Sequence, residues 1–260
     1  MAETKKKVVI VTGGSRGIGR AVSLTLAAAH WTVVINYAGN EAAAKAVLSE
    51  IEEKYGPGKA IAVKGDVSVT ADVKNVFDKA EETFGQVNAV VHLAGVLLDT
   101  YPKISETTEE DWDRTITINT KGTFIVCKEA EKRVASGGRI ITCSSTLVIT
   151  LAPGYAAYIA SKAAVEAFTK VLAKELRGKN ITANVISPGP TASEMFFAGK
   201  TKETIAAFAK QSPLERLGQP EDIAGAVKFL VSEDGRWVNG QVIRVNGGSV
   251  MAVIAVFVYI

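Results

Sequence analysis

The sequence predicts an α/β fold, a doubly wound parallel β-sheet flanked by helices on both faces and built as a single domain. Three observations lead there. Short, almost wholly apolar runs alternate along the chain with segments of helix length, as expected for parallel strands buried on both faces. The first run enters the cluster Gly13-Gly14-Ser15-Arg16-Gly17-Ile18-Gly19, which opens an apolar-periodic helix. Finally, 260 residues that are 47% hydrophobic can bury a large core, and no linker, repeat or low-complexity tract divides them.

In chain order, the strands are expected at Val8 to Thr12, Thr32 to Tyr37, Ala60 to Lys64, Val87 to Leu93, Arg139 to Ser144, Ile181 to Ile186 and Gln241 to Val245. The helix after the first strand reads as Ala21 to Ala29. Between them the glycines let the backbone turn sharply and approach a pyrophosphate, and the free amides and dipole of a helix start attract its charge. The spacing is G-x-x-x-G-x-G, not the commoner G-x-G-x-x-G, so the cluster needs its strand-turn-helix setting to carry meaning. In such a sheet the ligand crevice lies at the C-terminal ends of the strands, where Gly13, Asp66, Ala94, Ser145 and Pro188 all fall.

The second informative segment is Tyr158-Ile159-Ala160-Ser161-Lys162. Its surroundings, from Ala156 to Val171, are alanine-rich and free of proline and glycine until Gly178, so a helix is expected. Residues at i and i+4 share a helix face, and an ammonium beside a phenol lowers its pKa from about 10 towards the working pH. A tyrosine tuned in this way is a general acid for a carbonyl oxygen, or a base for an alcohol in reverse. Tyr55 and Lys59 have the same spacing, but Gly56-Pro57-Gly58 between them forbids a continuous helix.

Together, Thr12-Gly13-x-x-x-Gly17-x-Gly19 and Tyr158-x-x-x-Lys162 resemble the short-chain dehydrogenase/reductase family over nearly the whole chain. The resemblance implies a Rossmann-like sheet and assigns further residues. Ser145, thirteen positions before Tyr158, matches the family's catalytic serine, and Asn119 in Asn119-Thr120-Lys121-Gly122 its fourth catalytic residue. Asp66-Val67 is similar to the adenine-contacting pair, and Pro188-Gly189-Pro190-Thr191 to the loop that holds the nicotinamide carboxamide. Gly240-Gln241 and Val245-Asn246-Gly247-Gly248 resemble the last strand and its exit. One departure is visible: His92-Leu93-Ala94-Gly95 stands where the family usually has Asn-Asn-Ala-Gly, so only Ala94 and Gly95 carry over as cofactor contacts. His92 itself reads as a buried core group rather than a base.

The cofactor is expected to be NADPH. An Asp or Glu at the end of the second strand would bind the adenosine ribose hydroxyl of NAD, but this strand ends Ile35-Asn36-Tyr37-Ala38. Nothing there repels a 2′-phosphate, and Arg16 can meet one with a charge-assisted contact. Glu41, the nearest carboxylate, falls in the first turn of the next helix, where it complements the dipole. The cofactor contacts expected are thus Gly13, Ser15, Arg16, Gly17, Ile18, Gly19, Asn36, Tyr37, Asp66, Val67, Ala94, Gly95, Pro188, Gly189 and Thr191, with Tyr158 and Lys162.

The resemblance implies a carbonyl reductase in which Tyr158 protonates the carbonyl oxygen. Lys162 depresses the phenol pKa and binds the nicotinamide ribose, Ser145 polarises the carbonyl, and Asn119 holds a proton-supplying water. Loops after the fourth, fifth and sixth strands line the substrate side with Val96, Leu97, Leu98 and Tyr101; Leu147, Val148, Ile149 and Leu151; and Met195, Phe196 and Phe197. That lining suits a small hydrophobic ketone or aldehyde, with Tyr155 as a pocket wall. Reductases of 3-ketoacyl thioesters, polyhydroxynaphthalenes or plant aldehydes and ketones are the nearest types. The alternatives are an alcohol dehydrogenase working oxidatively, and a non-redox cyclase or binding protein on the same fold.

Composition excludes other classes. A net charge of +3 gives no basic footprint for nucleic acid. Cys127 and Cys143 lack metal-ligand spacing and read as free core thiols of a reducing compartment; with no secretory or transit-like start visible, the cytosol is expected. The domain is expected over 1–250. The apolar tail Met251 to Ile260 is too short to span a bilayer, lacks a basic face, and is expected at the interface of a homotetramer or homodimer.

Overall fold

The computed structural model describes residues 7–251. Seven strands form one sheet: β1 (Lys7–Thr12), β2 (Trp31–Tyr37), β3 (Ala60–Lys64), β4 (Val87–His92), β5 (Arg139–Cys143), β6 (Thr182–Pro188) and β7 (Val242–Val245). All neighbours pair in parallel, in the order β3-β2-β1-β4-β5-β6-β7. The order reverses between β1 and β4, so the crevice opens beyond their C-terminal ends. Every expected strand is present with ends shifted by at most two residues.

Strand side chains alternate between two cores. Val9 and Val11 of β1 join Leu26 of α1 (Gly17–Ala28), Val47 and Ile51 of α2 (Glu41–Tyr55) and Leu230 of α10 (Pro220–Val231) on one face. Val8 and Ile10 join Phe77 of α3 (Thr70–Phe84), Val126 of α5 (Gly122–Arg133) and Leu172 of α7 (Ala156–Glu175) on the other. Burial on both faces is why the strands read as unbroken apolar runs. Phe77 is among the largest fully buried side chains, and truncating such a ring to alanine costs about 3–5 kcal/mol.

Two helices differ from the expectation. The first begins at Gly17, four residues early, because the glycine turn winds directly into it. Between α4 (Glu109–Ile116) and α5 lies a π-helical segment, Thr117–Lys121, in which the Gly122 amide donates to the Thr117 carbonyl five residues back. Such bulges mark functional sites, and this one carries Asn119 at its centre. The Tyr55–Lys59 pair does not form: α2 ends at Tyr55, and Gly56 and Gly58 take positive φ.

Candidate active site

The glycine turn is closed by contact. At Gly13 (φ +64°) a side chain would come within 3.0 Å of the Ala94 Cα, and at Gly19 within 2.0 Å of the Gly13 carbonyl oxygen. The first packs the β1 exit against the β4 exit, and the second packs α1 onto its own turn. Arg16 stands at the N-cap of α1 without a side-chain cap, and the first turn holds no acid. Asn40, Thr108 and Thr201 cap their helices with side-chain oxygens. The amides at Gly17, Ile18 and Gly19 therefore remain available to an anion beside buried Ser15, which fits a pyrophosphate.

Arg16 reaches the sixth-strand loop, where its Nη1 lies 3.1 Å from Glu194 Oε2 on α8 (Glu194–Phe197). Both side chains are exposed, so the pair is weak and its guanidinium can be shared. The Asn36 side chain is engaged within the protein. Its amide is buried and donates to the carbonyls of Val63 and Gly65, 3.3 and 2.9 Å away, which ties β2 to the β3 exit. The side chain of Asn36 thus faces inward, and so does most of Tyr37. The reason is the strand period: an alternating residue on a doubly covered sheet must face one core or the other. Asp66 folds its own loop, with Oδ1 accepting from the Ser68 amide and hydroxyl at 2.8 and 2.7 Å. Val67 is buried in the second core.

Tyr158 and Lys162 lie on one face of α7, with the Lys162 ammonium 5.6 Å from the Tyr158 ring centroid. Lys162 Nζ donates to the Cys143 carbonyl at 2.9 Å, so β5 fixes its position. Burial pushes the Tyr158 phenol well above its ordinary range and the Lys162 ammonium down; a hydrogen bond from Ser145 opposes the rise of the phenol. The expected depression of the phenol by Lys162 is not seen: the shift is upward, and burial is its main cause. The ammonium is held over the ring by the Cys143 carbonyl, and desolvation dominates. The phenol is kept in its acid form at neutral pH.

Asn119 is fully buried and ties three segments together. Its Oδ1 accepts from the Val96 amide at 2.8 Å, and its Nδ2 donates to the Val96 carbonyl at 2.9 Å and to Ser161 Oγ at 3.1 Å. Ser161 Oγ donates in turn to the Tyr158 carbonyl at 2.7 Å. The side chain thus positions the β4 exit against α7. Ser161 was not expected in the site; its i+3 spacing from Tyr158 was the available signal. Gly95 sits between, where a Cβ would press within 3.1 Å of Asn119 Oδ1 and 3.4 Å of Lys162 Nζ.

His92 is the core group expected. Thr12 Oγ1 accepts from the Leu93 and Ala94 amides at 3.1 and 3.2 Å and lies 2.8 Å from His92 Nδ1, so its proton goes to that nitrogen. Burial, then the charge of Lys162, holds the imidazole neutral, with a pKa lowered to about 3. On the far side, the Pro188 carbonyl accepts from the Thr146 amide at 3.0 Å, and Thr191 Oγ1 donates to the Gly189 carbonyl at 2.9 Å. Gly189 lies against Asn246 at the β7 exit. Two of the loops meet near Tyr158, where Leu97, Leu98, Pro102 and Tyr155 border a narrow cleft.

Comparison with known proteins identifies the family. A family model described as enoyl-(acyl carrier protein) reductase matches residues 13–250. A short-chain type dehydrogenase/reductase of Picea abies is 50% identical over 250 residues, covering 94% of this chain and 92% of that one. This chain belongs to the short-chain dehydrogenase/reductase family. Within the family, an Arabidopsis thaliana protein named NADPH-dependent aldehyde reductase-like protein, chloroplastic, is 49% identical over 94% of each chain. A short-chain dehydrogenase from Burkholderia cenocepacia, solved in complex with NADP, superposes with a TM-score of 0.87 at 32% identity, covering 94% of this chain and 97% of that one. Among the described residues no helix is long and apolar enough to cross a membrane, and no cluster of His, Cys, Asp and Glu could hold a metal.

Proposed function

We propose that this short-chain oxidoreductase is an NADPH-dependent reductase of hydrophobic ketones or aldehydes, with Tyr158 as general acid. The observation that carries the reading is the half-buried Tyr158 phenol with the buried Lys162 ammonium 5.6 Å from its ring, next to an uncapped helix start. When bound, NADPH supplies the hydride that reaches the carbonyl carbon. Tyr158 gives its proton to the carbonyl oxygen, and Ser145 orients that oxygen. Lys162 stabilises the phenolate left behind and binds the nicotinamide ribose. Asn119 positions the β4 exit, and water at its π-bulge resupplies protons. Arg16 pairs with the 2′-phosphate, exchanging Glu194 for it. Backbone groups of Ala94, Gly95, Asp66, Val67, Pro188, Gly189 and Thr191 border the cofactor.

Support also comes from the relative named for NADPH-dependent aldehyde reduction and from the family neighbour solved with NADP. The apolar lining of the cleft beside Tyr158 suits a hydrophobic carbonyl compound better than a charged one. The proposed assembly is a homotetramer or homodimer, with exposed Phe124, Val171 and Phe229 available for contact. The proposed domain spans 1–250, and the proposed compartment is the cytosol. The apolar tail from residue 252 onward lies outside the described residues.

The test is loss of NADPH absorbance with purified protein and a panel of hydrophobic ketones, aldehydes and one ketoacyl thioester, with NADH in parallel. Turnover with NADPH is expected; preference for NADH would overturn the role given to Arg16. Tight NADPH binding without turnover on any member would favour the cyclase or binding role.

A further inference from the structure

Three segments far apart in sequence meet on the side chain of Lys200. Its Nζ donates to the Tyr101 hydroxyl, which in turn donates to the Ala198 carbonyl at 2.6 Å. The ammonium stands 4.3 Å from the ring centroid of Tyr101, 4.8 Å from that of Phe196 and 5.9 Å from that of Tyr155. The Tyr101 and Tyr155 rings pack with centroids 5.0 Å apart. Desolvation lowers the Lys200 pKa and raises that of Tyr101.

The backbone is shaped for this meeting. Tyr101 adopts a left-handed φ of +49°, which is uncommon for a residue with a side chain. Gly154 and Gly199 close on it from either side. A Cβ at Gly154 would lie 2.7 Å from the Tyr101 carbonyl oxygen, and one at Gly199 would lie 1.9 Å from the Asp99 carbonyl oxygen. Residues around Tyr101 follow β4, those around Tyr155 lead into α7, and those around Lys200 follow β6. Tyr155 borders the same cleft as Tyr158, three residues further on.

We infer that Lys200 is a positioning residue for substrate: gripped by Tyr101, Phe196 and Tyr155, its ammonium clips the segment after β6 to the segment after β4 and holds Tyr155 as a fixed wall of the cleft beside Tyr158. The inference rests on the proposed carbonyl reduction and deepens it. A fixed aromatic wall favours bulky, planar apolar carbonyl compounds over small ones, because the large substrate uses the wall and the small one does not. Lys200 touches neither the reacting atoms nor the glycine turn, so its loss acts on KM rather than on cofactor binding.

The test compares Lys200→Met, which keeps the apolar stem, with Lys200→Arg, which keeps the charge. With an aryl ketone as substrate, Lys200→Met is expected to raise KM roughly 5- to 20-fold, from the lost cation–π and charged hydrogen-bond contacts. The dissociation constant for NADPH, read by fluorescence titration, should move less than about twofold, as should KM for a short aliphatic aldehyde, since these contacts are remote from both. Lys200→Arg should recover most of the aryl-ketone KM. Without any substrate, chymotryptic cleavage at Phe196 and Phe197 should be faster in Lys200→Met than in wild type.

Unchanged aryl-ketone KM together with unchanged cleavage would overturn the clip. So would parallel losses for both substrates and NADPH, which a general structural defect predicts. A wild-type protein that oxidises no NADPH with any carbonyl would sink the reductase reading instead, and the cleavage rates would then decide the clip alone.

Discussion

Two ammonium groups in this molecule lie against tyrosine rings, and they come about in opposite ways. Lys162 meets Tyr158 across one turn of α7, is buried, and is anchored to the Cys143 carbonyl 2.9 Å away. Lys200 meets Tyr101 across 99 positions of chain, is half-buried, and is anchored by rings from three segments. The first pair needs only a helix, so its spacing in the sequence announces it. The second needs three loops to close, two of them through glycines that tolerate no side chain. The comparison separates the proposed chemistry, placed on a rigid helix and strand, from the proposed selectivity, placed on the loops. Tyr55 and Lys59 make the same point from the other side, because spacing without a helix brings nothing together.

The largest effect should come from breaking the first pair. Tyr158→Phe removes the proton donor and is expected to lower turnover about 10^2- to 10^4-fold, with NADPH affinity by titration nearly unchanged. A Tyr158→Phe protein that keeps its turnover would move the acid role to another group. Arg16→Ala comes next: the preference for NADPH over NADH, measured as the ratio of kcat/KM values, should fall about 10- to 100-fold, the worth of a charged hydrogen bond. No change in that ratio would assign 2′-phosphate recognition elsewhere.

The pH profile sharpens the comparison further. Burial raises the Tyr158 pKa, so the acid form persists below and through neutrality and is lost only as pH climbs past that raised value. Reduction should therefore be flat from pH 6 to about 10, the ordinary tyrosine value, and decline only beyond it, while oxidation of the product alcohol should rise with pH. A reductive rate that falls between pH 6 and 8 would show that the Lys162 charge, and not burial, sets the phenol. The smallest effect belongs to the non-helical pair: Tyr55→Phe should change turnover undetectably and stability by no more than about 0.5 kcal/mol in thermal unfolding.

Much of the fold was legible because parallel strands covered on both faces leave continuous apolar runs, and each of the seven expected strands is present within two residues of its ends. Less legible were features that depend on neighbours. The start of α1 at Gly17 follows from the turn packing on itself, which composition does not reveal. The π-bulge at Asn119 has no propensity signature, since a five-residue register is chosen by what packs around it. The strand period sets which side Asn36 takes, but its partners there, the Val63 and Gly65 carbonyls, belong to another strand and its exit.

The sequence by itself determined the sheet, the glycine turn and the Tyr158–Lys162 face, since each depends on residues within a few positions of one another and on periodicities of two and 3.6. Tertiary structure alone decided that Asn119 grips Val96 and Ser161, that burial raises the phenol of Tyr158, and that Lys200 closes on Tyr101, Tyr155 and Phe196. Desolvation and cross-loop contact are properties of the folded surroundings, and they exist only once distant segments have excluded water from between them.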